Sequence, residues 1–231
     1  MAPLYRRISY SFGIGLALVA VCLIYIPQWR HFNPGFQQET PAPPYLTPWT
    51  VVFVALLSLA LAILSAPLTR QRPSLVVVSK VLCALVICCS VVFLLEYATG
   101  IRFPDLDIFF LPDSAGRRIS LYAARPSPDG AVTSLLFSAS LLFYRADLLW
   151  RKRLYQILLA TAVVLPTIAA VQYLDVLFFA RHSFAPPRTG LSPAAVTLYF
   201  LLASGMLGLS FGARLQKAAK VDLPRRPLRP V

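Results

Sequence analysis

Six stretches of the chain are apolar for about the length a helix needs to cross the hydrocarbon core of a membrane, roughly 20 residues. They run Ile8–Pro27, Pro48–Pro67, Leu75–Thr99, Pro128–Tyr144, Leu154–Phe179 and Pro193–Ala213. The apolar positions fill these stretches instead of alternating, which predicts helices bathed in lipid and no half-buried strands. The fourth stretch is the shortest, and Arg145 at its end must reach back to the surface along its own stem. The predicted fold is an all-α integral membrane protein of six spans, with both termini cytoplasmic. A transmembrane domain over residues 1–213 is followed by a basic, proline-rich tail over residues 214–231.

Three of the six predicted helices open alike. The second begins Thr47-Pro48-Trp49-Thr50, the fourth Ser127-Pro128-Asp129-Gly130 and the sixth Ser192-Pro193-Ala194-Ala195. Serine or threonine at the N-cap accepts a backbone N–H that would otherwise be orphaned. Proline at the first helical position has no N–H to leave unpaired, and its φ is already helical. The helices that precede these starts end alike too, in Ile24-Tyr25, Glu96-Tyr97 and Gln172-Tyr173. Tyrosine there suits an interfacial belt. The expectation is three tandem helical hairpins, each an outgoing helix, an outer loop and a capped return.

Charge placement orients this arrangement. With the N-terminus inside, fifteen of the 22 basic residues fall on the inner face, from Arg6 and Arg7 through Arg151, Lys152 and Arg153 to Arg225, Arg226 and Arg229. Only Asp147 and Asp222 accompany them. The outer face holds seven arginines balanced by seven acids, so the formal net charge of +13 lies on one side. This is the positive-inside pattern, and five spans would break it. The sequence pI of about 10.1 therefore calls for anionic lipid headgroups at those basic residues and for no nucleic acid. Composition agrees: 58% of the 231 residues are hydrophobic and 13% charged, with mean hydropathy +0.68. Arg6 and Arg7 before an apolar run imitate a secretory signal, but no A-x-A-like cleavage site follows. The first stretch reads as a retained helix.

Candidate chemistry is sparse. Cys22, Cys83, Cys88 and Cys89 sit in apolar runs without metal or redox spacing and read as packing residues. Glu96, near the outer end of the third span, is an ionisable residue in a membrane helix, paired with Arg102 or another outer arginine if it is only structural. Asp105 and Asp107 lie in the longest outer loop among Phe103, Ile108, Phe109 and Phe110, a setting that fits an interfacial stretch as well as a carboxylate pair. His31 and His182 carry no ligand spacing. No phosphate-binding loop, nucleophile elbow or zinc-protease motif occurs, so neither an enzyme nor a metal centre nor a resident cofactor is expected, although bound lipid or pigment would fit a chain of this kind. Transport lacks the midplane charges that transporters carry. Pro166 could kink the fifth helix.

Two segments carry a resemblance. Leu95-Glu96-Tyr97-Ala98-Thr99-Gly100, Asp107, Phe110 and Arg125-Pro126-Ser127-Pro128 with Ala131-Val132-Thr133 form the first; Gln172-Tyr173 and Leu191-Ser192-Pro193-Ala194-Ala195-Val196-Thr197 form the second. Together, over Leu75 to Gly212, they resemble the membrane-embedded N-terminal input regions of bacterial sensor histidine kinases and diguanylate cyclases. In that family the counterparts of Glu96, Gly100, Asp107 and Ser127-Pro128 recur. The resemblance implies a sensory module in a bacterial inner membrane, receiving a ligand or partner around Glu96, Gly100, Asp105, Asp107, Ser127 and Ser192. The chain departs from the pattern after the sixth span, where Pro224-Arg225-Arg226-Pro227 stands in place of a signalling helix. Either the output half has been lost, or the module serves as a structural subunit among other integral membrane proteins, in a photosynthetic or respiratory complex for example.

Overall fold

A computed structural model describes residues 10–16, 19, 46–66, 69, 72–101, 125–144, 149–179 and 190–221. All regular structure among them is helical. A first helical segment, α1, covers residues 10–16. Then come α2 (Pro48–Ser65), α3 (Pro73–Thr99), α4 (Pro128–Phe143), α5 (Leu149–Phe179) and α6 (Pro193–Val221). Four of them, α2, α3, α5 and α6, are long and apolar enough to cross a membrane, and α4 is a shorter apolar helix. The chain is a helical membrane protein.

Several boundaries differ from those expected. Helix α5 starts at Leu149, five residues before Leu154, because no breaker lies between Leu149 and the basic run Arg151-Lys152-Arg153. Helix α6 runs on to Val221, past Ala213, so the first residues assigned to a tail are helical. Gln216, Lys217, Ala218, Ala219 and Lys220 are all good helix formers, and the prolines come only afterwards. Apolar length marks where lipid begins; it does not mark where a helix ends.

The helices form two layers. Helix α4 packs against α2, α3, α5 and α6, and α2 packs in turn against α6. The three helices that open with Ser/Thr-Pro thus touch one another as an inner triangle. Helix α3 lies against α2 and α4, and α5 against α4 and α6. Segment α1 lies against the remaining groove: a Cβ on Gly13 would meet the backbone of Ala62 at 2.8 Å, and Gly205 of α6 sits within reach of Phe12 and Leu61. Glycine at 13 is what lets the backbones of α1 and α2 close up, as small residues do between membrane helices, and glycine at 205 leaves room for the Leu61 side chain.

Burial repeats from helix to helix with one register. Counted from the cap residues Thr47, Ser127 and Ser192, positions 3, 4, 6, 7, 10, 11, 13 and 14 are buried in all three inner helices. In α2 these are Thr50, Val51, Phe53, Val54, Leu57, Ser58, Ala60 and Leu61; in α4 they run from Gly130 to Leu141, and in α6 from Ala195 to Met206. The outer helices bury only a narrow seam. In α3 it is Ser79, Cys83, Val86, Ser90 and Phe93, continued by Glu96, and in α5 it is Tyr155, Leu159, Ala162, Pro166 and Ala169. Both follow a 4-3-4-3 spacing, the stripe of a helix held by one face. Phe93 and Ala169, at matching places in the two seams, each stand four residues before a tyrosine, Tyr97 or Tyr173.

Candidate functional site

The inner helices have their starts at one end of the bundle, called here the cap end. Ser127 Oγ accepts the Gly130 N–H at 3.1 Å, and Ser192 Oγ accepts the Ala195 N–H at 3.1 Å. Both serines expected as ligand or partner residues therefore serve as helix caps. Thr47 differs: it makes no side-chain bond to the backbone of its helix, and its hydroxyl pairs with the Thr50 hydroxyl at 2.8 Å.

The tyrosines near the ends of α3 and α5, expected in an interfacial belt, make hydrogen bonds across the bundle. Tyr97 donates its hydroxyl to the Pro126 carbonyl at 2.8 Å, and Tyr173 donates to the Leu191 carbonyl at 2.6 Å. In each case the acceptor is the residue just before the capping serine. Two hairpins are thus tied shut by the same bond at the same register. The two caps also touch each other, since Gly190, with φ +60°, would place a Cβ 3.2 Å from Ser127 Cβ. Beneath them Tyr199 donates to the Gly130 carbonyl at 3.2 Å and lies 2.8 Å from Ser134 Oγ. Because the tyrosine has spent its single proton, Ser134 is the donor of that second bond.

Glu96 stands one residue before Tyr97 and is completely buried, as is Arg125, whose guanidinium pairs with the Glu96 carboxylate. The guanidinium carbon of Arg125 also lies 5.8 Å from the centre of the Phe93 ring. That ring meets Trp49 edge-on at 5.2 Å and Phe53 at 5.9 Å. A charged pair therefore rests on an aromatic floor contributed by α2 and α3. Buried charges persist only when paired and hydrogen-bonded, and a face of π density offers the cation a second partner. The sequence pointed to Glu96 and to Arg102 or another outer arginine; the structure pairs Glu96 with Arg125, and Arg102 lies outside the described residues.

The corresponding positions of the next hairpin carry no charge. Gln172 precedes Tyr173 as Glu96 precedes Tyr97, and Gly190 precedes Ser192 by two residues as Arg125 precedes Ser127. Carboxylate and arginine are replaced together. The Gln172 side-chain oxygen is shielded and has no hydrogen-bond partner among the described residues. This joint change was readable in the sequence as a relation between two repeats, but only once the cap register showed which residues correspond.

The other expected residues fall as follows. Gly100 terminates α3 in the left-handed region at φ +70°, with its N–H on the Glu96 carbonyl, a place where glycine is the residue of least strain. Lys152 and Arg153 are exposed at the start of α5, at the end of the bundle opposite the caps. Arg151 belongs to the same turn of α5. Asp105, Asp107, His31, His182, Arg225, Arg226 and Arg229 lie outside the described residues. Cys83 is buried, Cys88 exposed and Cys89 half-buried, all as free thiols. Among the described residues no three His, Cys, Asp or Glu side chains are grouped to hold a metal.

An all-helical membrane bundle with a charged, aromatic-floored cap end is the class these features define. Comparison with protein-family models, with curated proteins and with solved structures finds no match to this chain.

Proposed function

We propose that this chain is a non-catalytic membrane module of six spans, three tandem hairpins with both termini in the cytoplasm, that binds a ligand or partner at its cap end or within the bilayer. The cap end then faces outward, and the basic end meets anionic lipid of a bacterial inner membrane. The observation that carries this reading is the Glu96–Arg125 pair. Arg125 ends the longest outer connection, and its side chain is drawn into the bundle beside α2 and α3. Whatever engages the protein near that connection would act on the helices through this buried pair. The likeness of residues 75–212 to sensory input regions of histidine kinases and diguanylate cyclases supports the same reading.

A second reading, a structural subunit of a larger membrane assembly, is favoured by a different observation. Helices α3 and α5 each bury a single seam, so Val77, Val81, Leu85 and Ile157, Val164, Val171 stay exposed. Lipid covers such faces in a free module; a neighbouring membrane protein covers them in a complex. Mild solubilisation of the tagged protein from its native membrane, followed by mass spectrometry, separates the two. A free sensory module is recovered alone, as a homo-oligomer or with a substoichiometric kinase. Stoichiometric recovery of another membrane complex refutes the sensory reading and establishes the structural one.

A further inference from the structure

We propose that the cap end of the groove between α2, α3 and α4 is a binding site for a small organic cation of the guanidinium or ammonium class, occupied in this structure by the chain's own Arg125. The site has the two components such a cation requires. Glu96 supplies a fully buried carboxylate, and Phe93 supplies a ring face 5.8 Å from the guanidinium carbon. Trp49 and Phe53 hold that ring in place, with centroids 5.2 and 5.9 Å from it. A carboxylate beside desolvated aromatic rings is the usual chemistry of cation recognition.

The chain contains its own control. The hairpin of α5 and α6 makes the same serine cap and the same tyrosine-to-carbonyl bond with Gln172 and Gly190 at the corresponding positions. The ion pair is therefore not what closes a hairpin of this design. A buried pair is commonly no more stabilising than a neutral replacement, and ionisable residues at membrane depth mark functional places. A side chain that fills a site the scaffold can do without is a tethered ligand, and exchange with a free cation would release the start of α4 from α3.

This inference rests on the reading of the cap end as the receiving end, and names the chemistry received. Its test uses the purified full chain and gives its answer whether or not the protein copurifies with partners. Arg125→Gly, which copies Gly190, is compared with Glu96→Gln/Arg125→Gly, which copies the whole neutral hairpin. Each is titrated with methylguanidinium chloride, with KCl at matched ionic strength as control. Arg125→Gly is expected to gain thermal stability saturably, by roughly 3–6 °C at a tenfold excess over Kd, with KCl giving no gain. The double variant is expected to fold and to show no response. If Arg125→Gly folds only when methylguanidinium is present during purification, that rescue is the same result. Absence of any gain or rescue, an equal gain in the double variant, or a double variant that fails to fold would each overturn the proposal, the last by making the pair a structural necessity.

Discussion

At the scale of single residues, tyrosine is the side chain that holds this bundle together. Tyr97 and Tyr173 tie the hairpins at the cap end, and Tyr199 joins α6 to α4. At the opposite end Tyr144 donates to the Leu209 carbonyl at 3.3 Å and Tyr155 to the Met206 carbonyl at 2.9 Å. Lipid offers no alternative donor to a carbonyl and no alternative acceptor to a hydroxyl. Measured interhelical bonds in membranes are nonetheless modest, because the separated helices find other partners. Tyr97→Phe and Tyr173→Phe are each expected to lose about 0.5–1.5 kcal/mol, measured by reversible unfolding in mixed micelles. Equal losses would also show that the two bonds are equivalent; a loss at one position alone would mean the two hairpins are closed differently.

At the scale of elements, the sequence distinguishes helices from loops more readily than it distinguishes inner helices from outer ones. Helices α2 and α3 are both almost entirely apolar, yet α2 is buried around most of its circumference and α3 along one seam. Hydropathy cannot tell them apart, because lipid and protein interior are equally apolar. What marks α4 as central is small side chains: Gly130, Ala131, Ser134, Ser138 and Ser140 are all buried, and small residues allow several neighbours to approach closely. The difference between seam and lipid face is measurable. Phe93→Ala, in the seam, is expected to cost about 3–5 kcal/mol. Val81→Ala, on the exposed face, is expected to cost under about 0.5 kcal/mol. Comparable losses at both positions would mean that the outer face of α3 is packed against protein.

At the scale of the whole molecule, three return helices of one burial register form the inner layer, and the outer elements fill the grooves between them. Nineteen residues separate Lys80 from Thr99 on α3, about 28 Å of helix, close to the roughly 30 Å hydrocarbon thickness of a bilayer. That stretch of α3 is long enough to set Thr99 and the exposed Lys80 at opposite faces of a bilayer, and the proposed orientation puts the caps outside and the basic end inside. That orientation predicts a labelling result. In a cysteine-free background, Ile101→Cys is expected to react with a membrane-impermeant maleimide in intact cells, and Lys152→Cys only after permeabilisation. The opposite pattern would invert the topology and put the cap end in the cytoplasm.

Much of this was legible beforehand, and for identifiable reasons. Residue type alone determined that the chain is helical and lives in lipid, because apolar length and scarcity of charge depend on no partner. The starts of α4 and α6 were legible because an N-cap is a local device, built within four residues, and that of α2 because Pro48 suits a first helical position although Thr47 makes no side-chain cap. Glu96 stood out as an ionisable residue in an apolar run. Only the tertiary structure decided that Arg125 is its partner, that Phe93 and Trp49 form the floor beneath it, that Tyr97 and Tyr173 close hairpins, and that the capped helices lie inside. Each of these depends on which faces of separate helices meet, and in a chain apolar on nearly every side that choice is made by shape and by the few available hydrogen bonds, neither of which a linear pattern displays.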